Sequence, residues 1–346
     1  MERAFSIQQA IAKMINGAHL TRQEAQVVMS EVMDGEATST QIGSLLTALR
    51  MKGETIDEIT GFAETMRLKS NRVHTIQAGL LDTCGTGGSG MHKFNISTAS
   101  AIIAASQGVR VAKHGNRAMS GRTGSADVLE ALGVNIGINS EQAAGCLNEI
   151  GLCFLFAQLY HPSMKHAAAP RKELGFRTVF NLLGPLTNPA GADRQLMGIF
   201  DRSRTETVAR VLEQLQVKRA LVVGSHDGLD EISISAPTRI SELNHGIMTT
   251  YEVTPESLGL RSYAVEAIAG GTPEVNANII RNVFSGEQGA YRDIVLANAG
   301  ACIYLADQCA SLREGVVLAG AAIDSGAAKS KLDQLIQYTG ELSHVS

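Results

Sequence analysis

The chain has 346 residues, 44% of them hydrophobic and 4% aromatic, long enough to bury a substantial core and to form two domains or one domain with an appendage. Its 30 Lys and Arg against 34 Asp and Glu leave a net charge of −4, with the cations scattered, which argues against a polybasic face for nucleic acid or a membrane surface. The opening MERAFSIQQAIAKMINGAHL lacks a signal-peptide core, and no later apolar run is long enough to span a bilayer, so a cytoplasmic protein with neither nucleic acid nor membrane as partner is expected.

Up to about residue 70 the pattern is helical. Three segments open with a capping box, in which a Thr side chain and a Glu or Gln three residues on satisfy orphan amides: Thr21 with Glu24, Thr38 with Gln41, Thr55 with Glu58. Gly53 closes the second, and the run 41–50 has apolar residues at helical spacing. From Leu80 short apolar runs alternate with helical stretches, which predicts strands at 80–84, 109–112, 153–156, 195–199 and 220–223 and crossover helices at 98–107, 125–132, 141–150 and 203–215. Segment 161–183, HPSMKHAAAPRKELGFRTVFNLL, is helical and basic and reads as an excursion to the helical module. After Glu231 the patterns IxIxA, RIxEL and IMTTYEV predict antiparallel strands, Thr254-Pro255 and Thr272-Pro273 predict helix starts with Pro first, and 291–338 is helical. The expected fold class is α/β: a small all-helical domain of residues 1–72 with 162–187, and a larger α/β domain of 73–161 with 188–346 around a mostly parallel central sheet.

Five cysteines, Cys84, Cys146, Cys153, Cys302 and Cys309, show no CxxC pair or zinc spacing, so neither a disulfide framework nor a structural metal is expected. Cys146 and Cys153, like Cys302 and Cys309, are seven apart and share a helical face where their segments are helical, as buried thiols. Cys84 fits a small residue ending a buried strand.

Ligands of open parallel sheets gather at the carboxyl ends of strands, and four polar clusters each follow an expected strand. GTGGSG at 85–90 offers amides without side-chain obstruction, and Asn95, Ser97 and Thr98 open the next helix, an arrangement made for phosphate oxygens. Alone such a loop is more often a tight turn; the NIST beyond it reverses that. Lys113, His114, Asn116 and Arg117 form a donor-rich loop that Gly115, Gly121 and Gly124 let close around a ligand, the alternative being a solvated basic loop. Tyr160, His161 and Arg171 follow the third strand. DGLDE at 227–231 ends in adjacent acids, hard oxygen ligands for Mg²⁺ that in isolation would be a solvated turn. Their side chains diverge in extended backbone, so two ions, or one direct and one water-mediated contact, fit better than joint chelation.

In order, DxCGTGG at 82–88, FNIST at 94–98, KHGNR at 113–117, GSADVLE at 124–130, RxELGFRTxFN at 171–181, LGPLxNP at 183–189 and DGLDE at 227–231 resemble the motifs of the anthranilate phosphoribosyltransferase family. The likeness covers essentially the whole chain, including ALRMKGET at 48–55. It implies a nucleoside phosphorylase/phosphoribosyltransferase-like fold and a homodimer formed through the helical domain. The implied reaction is transfer of the phosphoribosyl group of 5-phosphoribosyl diphosphate to the anthranilate amine, with Mg²⁺ and release of diphosphate, the second step of tryptophan biosynthesis from chorismate. By this resemblance Gly85, Gly88, Ser89, Lys93, Asn95, Ile96, Ser97, Thr98, Lys113, His114, Gly115, Asn116 and Ser125 bind the donor. Gly85, Asn116 and Arg171 hold anthranilate, the guanidinium meeting its carboxylate bidentately, and Ser97, Asp230 and Glu231 serve two Mg²⁺ ions. No general base is implied, and His114 and His161 are candidates for positioning or proton transfer. Two positions depart from the family pattern: Ser89 stands where Asp is usual, which removes a carboxylate and retunes the metal dependence, and Gln158 stands where proline is common. Two other readings remain: a relative that binds a phosphate ligand or nucleic acid without turnover, and a nucleoside phosphorylase of the same architecture, which would cleave nucleosides with phosphate.

Overall fold

Side-chain caps fix where the chain's first helices begin. The computed structural model describes residues 5–87, 90–118 and 122–342, and it opens with α1 (Ile7–Ile15), α2 (Arg22–Asp34), α3 (Ser39–Lys52) and α4 (Ile56–Leu68). Thr21, Thr38 and Thr55 accept the amides of Glu24, Gln41 and Glu58 at 3.2, 3.2 and 3.3 Å, and those side chains return to the cap amides. Ser6 and Gln9 place the residues of a fourth box that the pattern reading missed, but only its return half forms, the Gln9 side chain accepting the Ser6 amide at 3.0 Å. Loss of any one cap would cost about 1 kcal/mol.

The second region runs β1 (Leu81–Asp82), α5 (Ile96–Ser106), β2 (Val111–Gly115), α6 (Ser125–Leu132), α7 (Ser140–Glu149) and β3 (Leu152–Phe156). Three short helices follow, α8 (Ala157–Tyr160), α9 (Lys165–Leu174) and α10 (Phe180–Leu183), before β4 (Arg194–Gly198), α11 (Thr205–Gln214) and β5 (Arg219–Ser225). The chain then forms β6 (Thr238–Asn244), β7 (Ile247–Val253), α12 (Pro273–Phe284), α13 (Ala290–Leu305), α14 (Leu312–Asp324) and α15 (Ala327–Glu341). Among the described residues no helix is long and apolar enough to cross a membrane.

The strands lie in the order β3-β2-β1-β4-β5-β6-β7. β3 through β5 pair in parallel, and β6 and β7 add antiparallel at one edge. Period-2 alternation divides the residues of β4 and β5 between two cores, while Ala112, Cys153 and Leu155 of β2 and β3 enter a third with α7. Leu196, Leu221 and Val223 face a layer built from α5, α6 and α12 to α15, while Met197, Ile199, Ala220 and Val222 share a core with α11 and the N-terminal helices. α9 leaves the sheet to pack on α2 and α3. Arg67 of α4 ties the two regions together by donating to the Leu186 carbonyl at 2.7 Å and the Leu215 carbonyl at 3.1 Å, and Arg204 pairs with Glu54 at 3.0 Å.

Three local expectations are corrected. Residues 232–236 alternate like a strand but form none, 234–236 being bends, because Asn298 of α13 takes both polar groups of Ile232, accepting its amide at 3.0 Å and donating to its carbonyl at 2.9 Å. Thr254-Pro255 begins only the 3₁₀ turn Glu256–Leu258, whereas Thr272 caps a full helix with Pro273 in its first turn. The cysteine pairs share no helix, since Cys153 lies on β3 and Cys309 follows the end of α13. All five thiols are free, with Cys84 and Cys309 only partly buried.

Candidate active site

The strand order reverses between β1 and β4, and their carboxyl ends are the topological switch point where parallel sheets hold ligands. Backbone contacts draw three loops together there. The Thr86 amide donates to the Gly198 carbonyl at 2.8 Å, a Cβ on Gly85 would stand 2.9 Å from that carbonyl, and a Cβ on Gly198 would stand 1.8 Å from the Asp230 carbonyl. Only glycine at 198 lets the acid-bearing loop lie against β4. Gly198→Ala is expected to cost about 2–3 kcal/mol in urea denaturation; unchanged stability would show that the 230–231 backbone is not held by this contact.

On the β2 side the ammonium of Lys113, only 4% exposed, donates to the Thr83 carbonyl, the Thr83 hydroxyl and the Ser97 hydroxyl at 3.3, 3.0 and 3.2 Å. All three acceptors are neutral, and the Asp82 and Glu231 carboxylates act on the ammonium only through space, so among the described residues no anion is hydrogen-bonded to it. The N-terminus of α5 supplies Ser97 and the buried Thr98, whose hydroxyl finds no partner among the described groups. This pairing of helix dipole and ammonium favours negative charge. Ile96 offers a packed side chain, and its amide is taken by the Phe94 carbonyl at 2.9 Å. Asn95 is engaged structurally, donating to Thr123 at 3.3 Å and accepting from Asn276 at 2.9 Å. Gly115 sits so close to α6 that a Cβ would stand 2.2 Å from the Ser125 hydroxyl, and that hydroxyl donates to the Asn116 carbonyl at 3.3 Å.

The acids at the end of the β5 loop meet a lysine. Lys93 Nζ lies 2.7 Å from Asp230 Oδ1 and 3.1 Å from Glu231 Oε1. Burial pushes the Glu231 carboxyl up; burial also depresses Lys93, but the two carboxylates outweigh it and hold the ammonium above its usual range. Asp230, Glu231 and the Ser97 hydroxyl are hard oxygen donors that fit Mg²⁺. Asp82, Cys84 and His114 also cluster, with ligand atoms within 4.8 Å of one another, but sulfur and nitrogen suit Mg²⁺ poorly. Asp82 instead braces the sheet end: it accepts the His114 amide at 3.0 Å and the Asn188 amide group at 2.8 Å, and burial pushes its pKa up to about 6.

His114 and His161 face each other with ring centroids 5.1 Å apart. Burial pulls His114 down to about 3, with His161 adding to the effect, and His161 down to about 4, so both rings are neutral at physiological pH. An unfolded chain protonates these rings near pH 6.5 while the fold refuses the proton until about pH 4, so acid in that window erodes stability. Asp82 acts in the opposite sense, regaining stability as pH falls below 6. His161→Asn is expected to flatten the loss between pH 6.5 and 4 by up to about 3 kcal/mol in urea denaturation at stepped pH; an unaltered slope would refute the neutral buried ring.

Arg171 lies in the last turn of α9. Its guanidinium stands 5.0 Å from the Phe180 ring centroid, burial lowers its pKa, and among the described residues it has no carboxylate partner. Arg177, 3.9 Å above the Phe200 ring, ties the turn after α9 to the chain leaving β4. The structure thus brings Gly85, Lys93, Ser97, Thr98, Lys113, Asp230 and Glu231 to one sheet end and joins His114 to His161 beside them. Gly88 and Ser89 lie outside the described residues. Sequence reasoning did not single out Thr83, Asp82, Asn188 or Gly198, although Asp82 and Asn188 fall inside quoted motifs.

Residues 77–329 match the glycosyl transferase family, a/b domain, and residues 8–70 match the glycosyl transferase family, helical bundle domain. The anthranilate phosphoribosyltransferase of Brevibacillus brevis is 55% identical over 337 residues, 97% of this chain and 99% of that protein. The crystal structure of anthranilate phosphoribosyltransferase from Thermus thermophilus superposes with a TM-score of 0.91 at 44% identity, covering 95% of this chain and 99% of that one. The Saccharomyces cerevisiae enzyme in complex with PRPP and Mg aligns with a TM-score of 0.89 at 26% identity, covering 97% and 98%.

Proposed function

The chain belongs to the anthranilate phosphoribosyltransferase family, and from that premise we propose how its residues divide the work. The reaction moves the phosphoribosyl group of 5-phosphoribosyl diphosphate to the amine of anthranilate in tryptophan biosynthesis. The bond from the anomeric carbon to diphosphate breaks, a carbon–nitrogen bond forms, and the amine gives up a proton. Positive charge develops on the ribose and negative charge on the leaving group, so fixed donors aimed at the diphosphate stabilise the transition state.

Lys113 carries the donor assignment, because its buried ammonium hydrogen-bonds only neutral oxygens among the described residues and lies beside the start of α5. The donor site comprises Gly85, Gly88, Ser89, Lys93, Ser97, Thr98, Lys113, His114, Gly115, Asn116 and Ser125, with Asn95 and Ile96 shaping the turn into α5. Arg171 holds the anthranilate carboxylate, with Asn116 and Gly85 beside the ring, and so orients a weak nucleophile. Asp230, Glu231 and Ser97 are the oxygen donors for two Mg²⁺ ions, which when bound neutralise the diphosphate and assist its departure. His114 and His161, held neutral by burial, position the amine or take its proton, which the aromatic ammonium formed on carbon–nitrogen bond formation surrenders readily.

The helical domain, residues 1–72 with 162–187, makes the homodimer contact. A groove of about 590 Å³ between α1, α3 and α9 supports this, lined by Ile11, Ile15, Met51 and Leu174, with Ile15 72% and Met51 83% exposed. Met51→Glu is expected to convert a species of twice the chain mass to monomer in sedimentation; a monomeric parent would refute the contact. The function itself is tested by incubating purified protein with both substrates and Mg²⁺, and separately a nucleoside with phosphate. N-phosphoribosylanthranilate in the first mixture alone supports the assignment, and nucleoside cleavage alone would replace it.

A further inference from the structure

We propose that Lys93 is an internal counter-cation that competes with divalent metal for Asp230 and Glu231, so that Mg²⁺ takes the acid pair only as Lys93 lets go. The inference rests on the metal role assigned above to those acids. Lys93 Nζ contacts both carboxylates, at 2.7 and 3.1 Å, and both acid side chains are nearly buried, 4% and 10% exposed. An ammonium and a divalent cation repel strongly at such distances when water screens them little, so they cannot share these oxygens.

The backbone of Lys93 is fixed. It bridges Ala269, the Gly270 amide donates to His92 at 2.8 Å, and a Cβ on Gly270 would stand 2.6 Å from the Lys93 carbonyl. The next residue, Phe94, is buried edge-on against Tyr291 with centroids 5.1 Å apart. Release of the acids therefore falls to rotation of the Lys93 side chain, with no loop displacement. The freed ammonium, on the flank of the diphosphate site, has an anion to turn to, so metal entry and donor entry favour each other.

The test is a calorimetric titration of the full-length protein with Mg²⁺ alone, comparing wild type, Lys93→Gln, Lys93→Arg and Asp230→Asn. Lys93→Gln should bind Mg²⁺ about tenfold more tightly than wild type, because a charge-assisted competitor has been removed, and Lys93→Arg should remain close to wild type. Thermal unfolding gives a second readout if Lys93→Gln is too weakly folded for calorimetry: added Mg²⁺ should raise its midpoint more than that of wild type. Equal or weaker affinity in Lys93→Gln, or an equal rise in midpoint, overturns the competition while leaving the metal role in place. Unchanged Mg²⁺ binding in Asp230→Asn overturns both.

Discussion

Lys113→Met is expected to lower kcat/KM for the phosphoribosyl donor by about 10²- to 10³-fold and to cost the fold no more than about 1–3 kcal/mol. Methionine keeps an unbranched stem of similar length and deletes the charge together with its three donated hydrogen bonds. In the native chain that charge is buried against the Thr83 carbonyl and two hydroxyls, acceptors that satisfy its donors without neutralising it. Its removal takes away a preorganised partner for developing negative charge, an interaction worth a few kcal/mol at a transition state; its cost to the fold is set by the three lost hydrogen bonds and the lost attraction of the Asp82 and Glu231 carboxylates. Steady-state kinetics read with urea denaturation separate the two effects. A large loss of stability with little change in donor kinetics would make Lys113 a structural lysine.

Arg171→Ala should raise the KM for anthranilate by about a hundredfold and the KM for the donor by far less. The side chain is half-buried on α9 and lies over Phe180, and no carboxylate of the described chain occupies it. A charge-assisted hydrogen-bonded pair contributes roughly 1.5–3 kcal/mol, and Lys at this position should restore little, because a point charge cannot reproduce the planar fork. Equal effects on both substrates would contradict the assignment.

Local chemistry made much of this legible beforehand. The capping boxes at Thr21, Thr38 and Thr55 marked helix starts because the partners lie three residues apart, and the five parallel strands announced themselves as apolar runs because each is buried on both faces. What escaped depends on residues distant in sequence. Alternation at 232–236 looked like a strand until Asn298, 66 residues away, captured the Ile232 backbone. Asp82 gains its bracing role from Asn188, 106 residues on, and Gly198 matters because the Asp230 carbonyl presses on it. The same holds for Lys93, placed in the donor site by resemblance, whose contact with the two acids spans 137 and 138 residues. The cysteine spacings misled because a seven-residue interval locates a shared face only inside one helix, and both intervals run past a helix end.

The most direct measurement is a crystal structure of this protein with 5-phosphoribosyl diphosphate and Mg²⁺. The account predicts diphosphate oxygens within hydrogen-bonding distance of Lys113 Nζ at the carboxyl ends of β1 and β2, beside the start of α5. Diphosphate bound elsewhere, with Lys113 still donating only to Thr83 and Ser97, would contradict it.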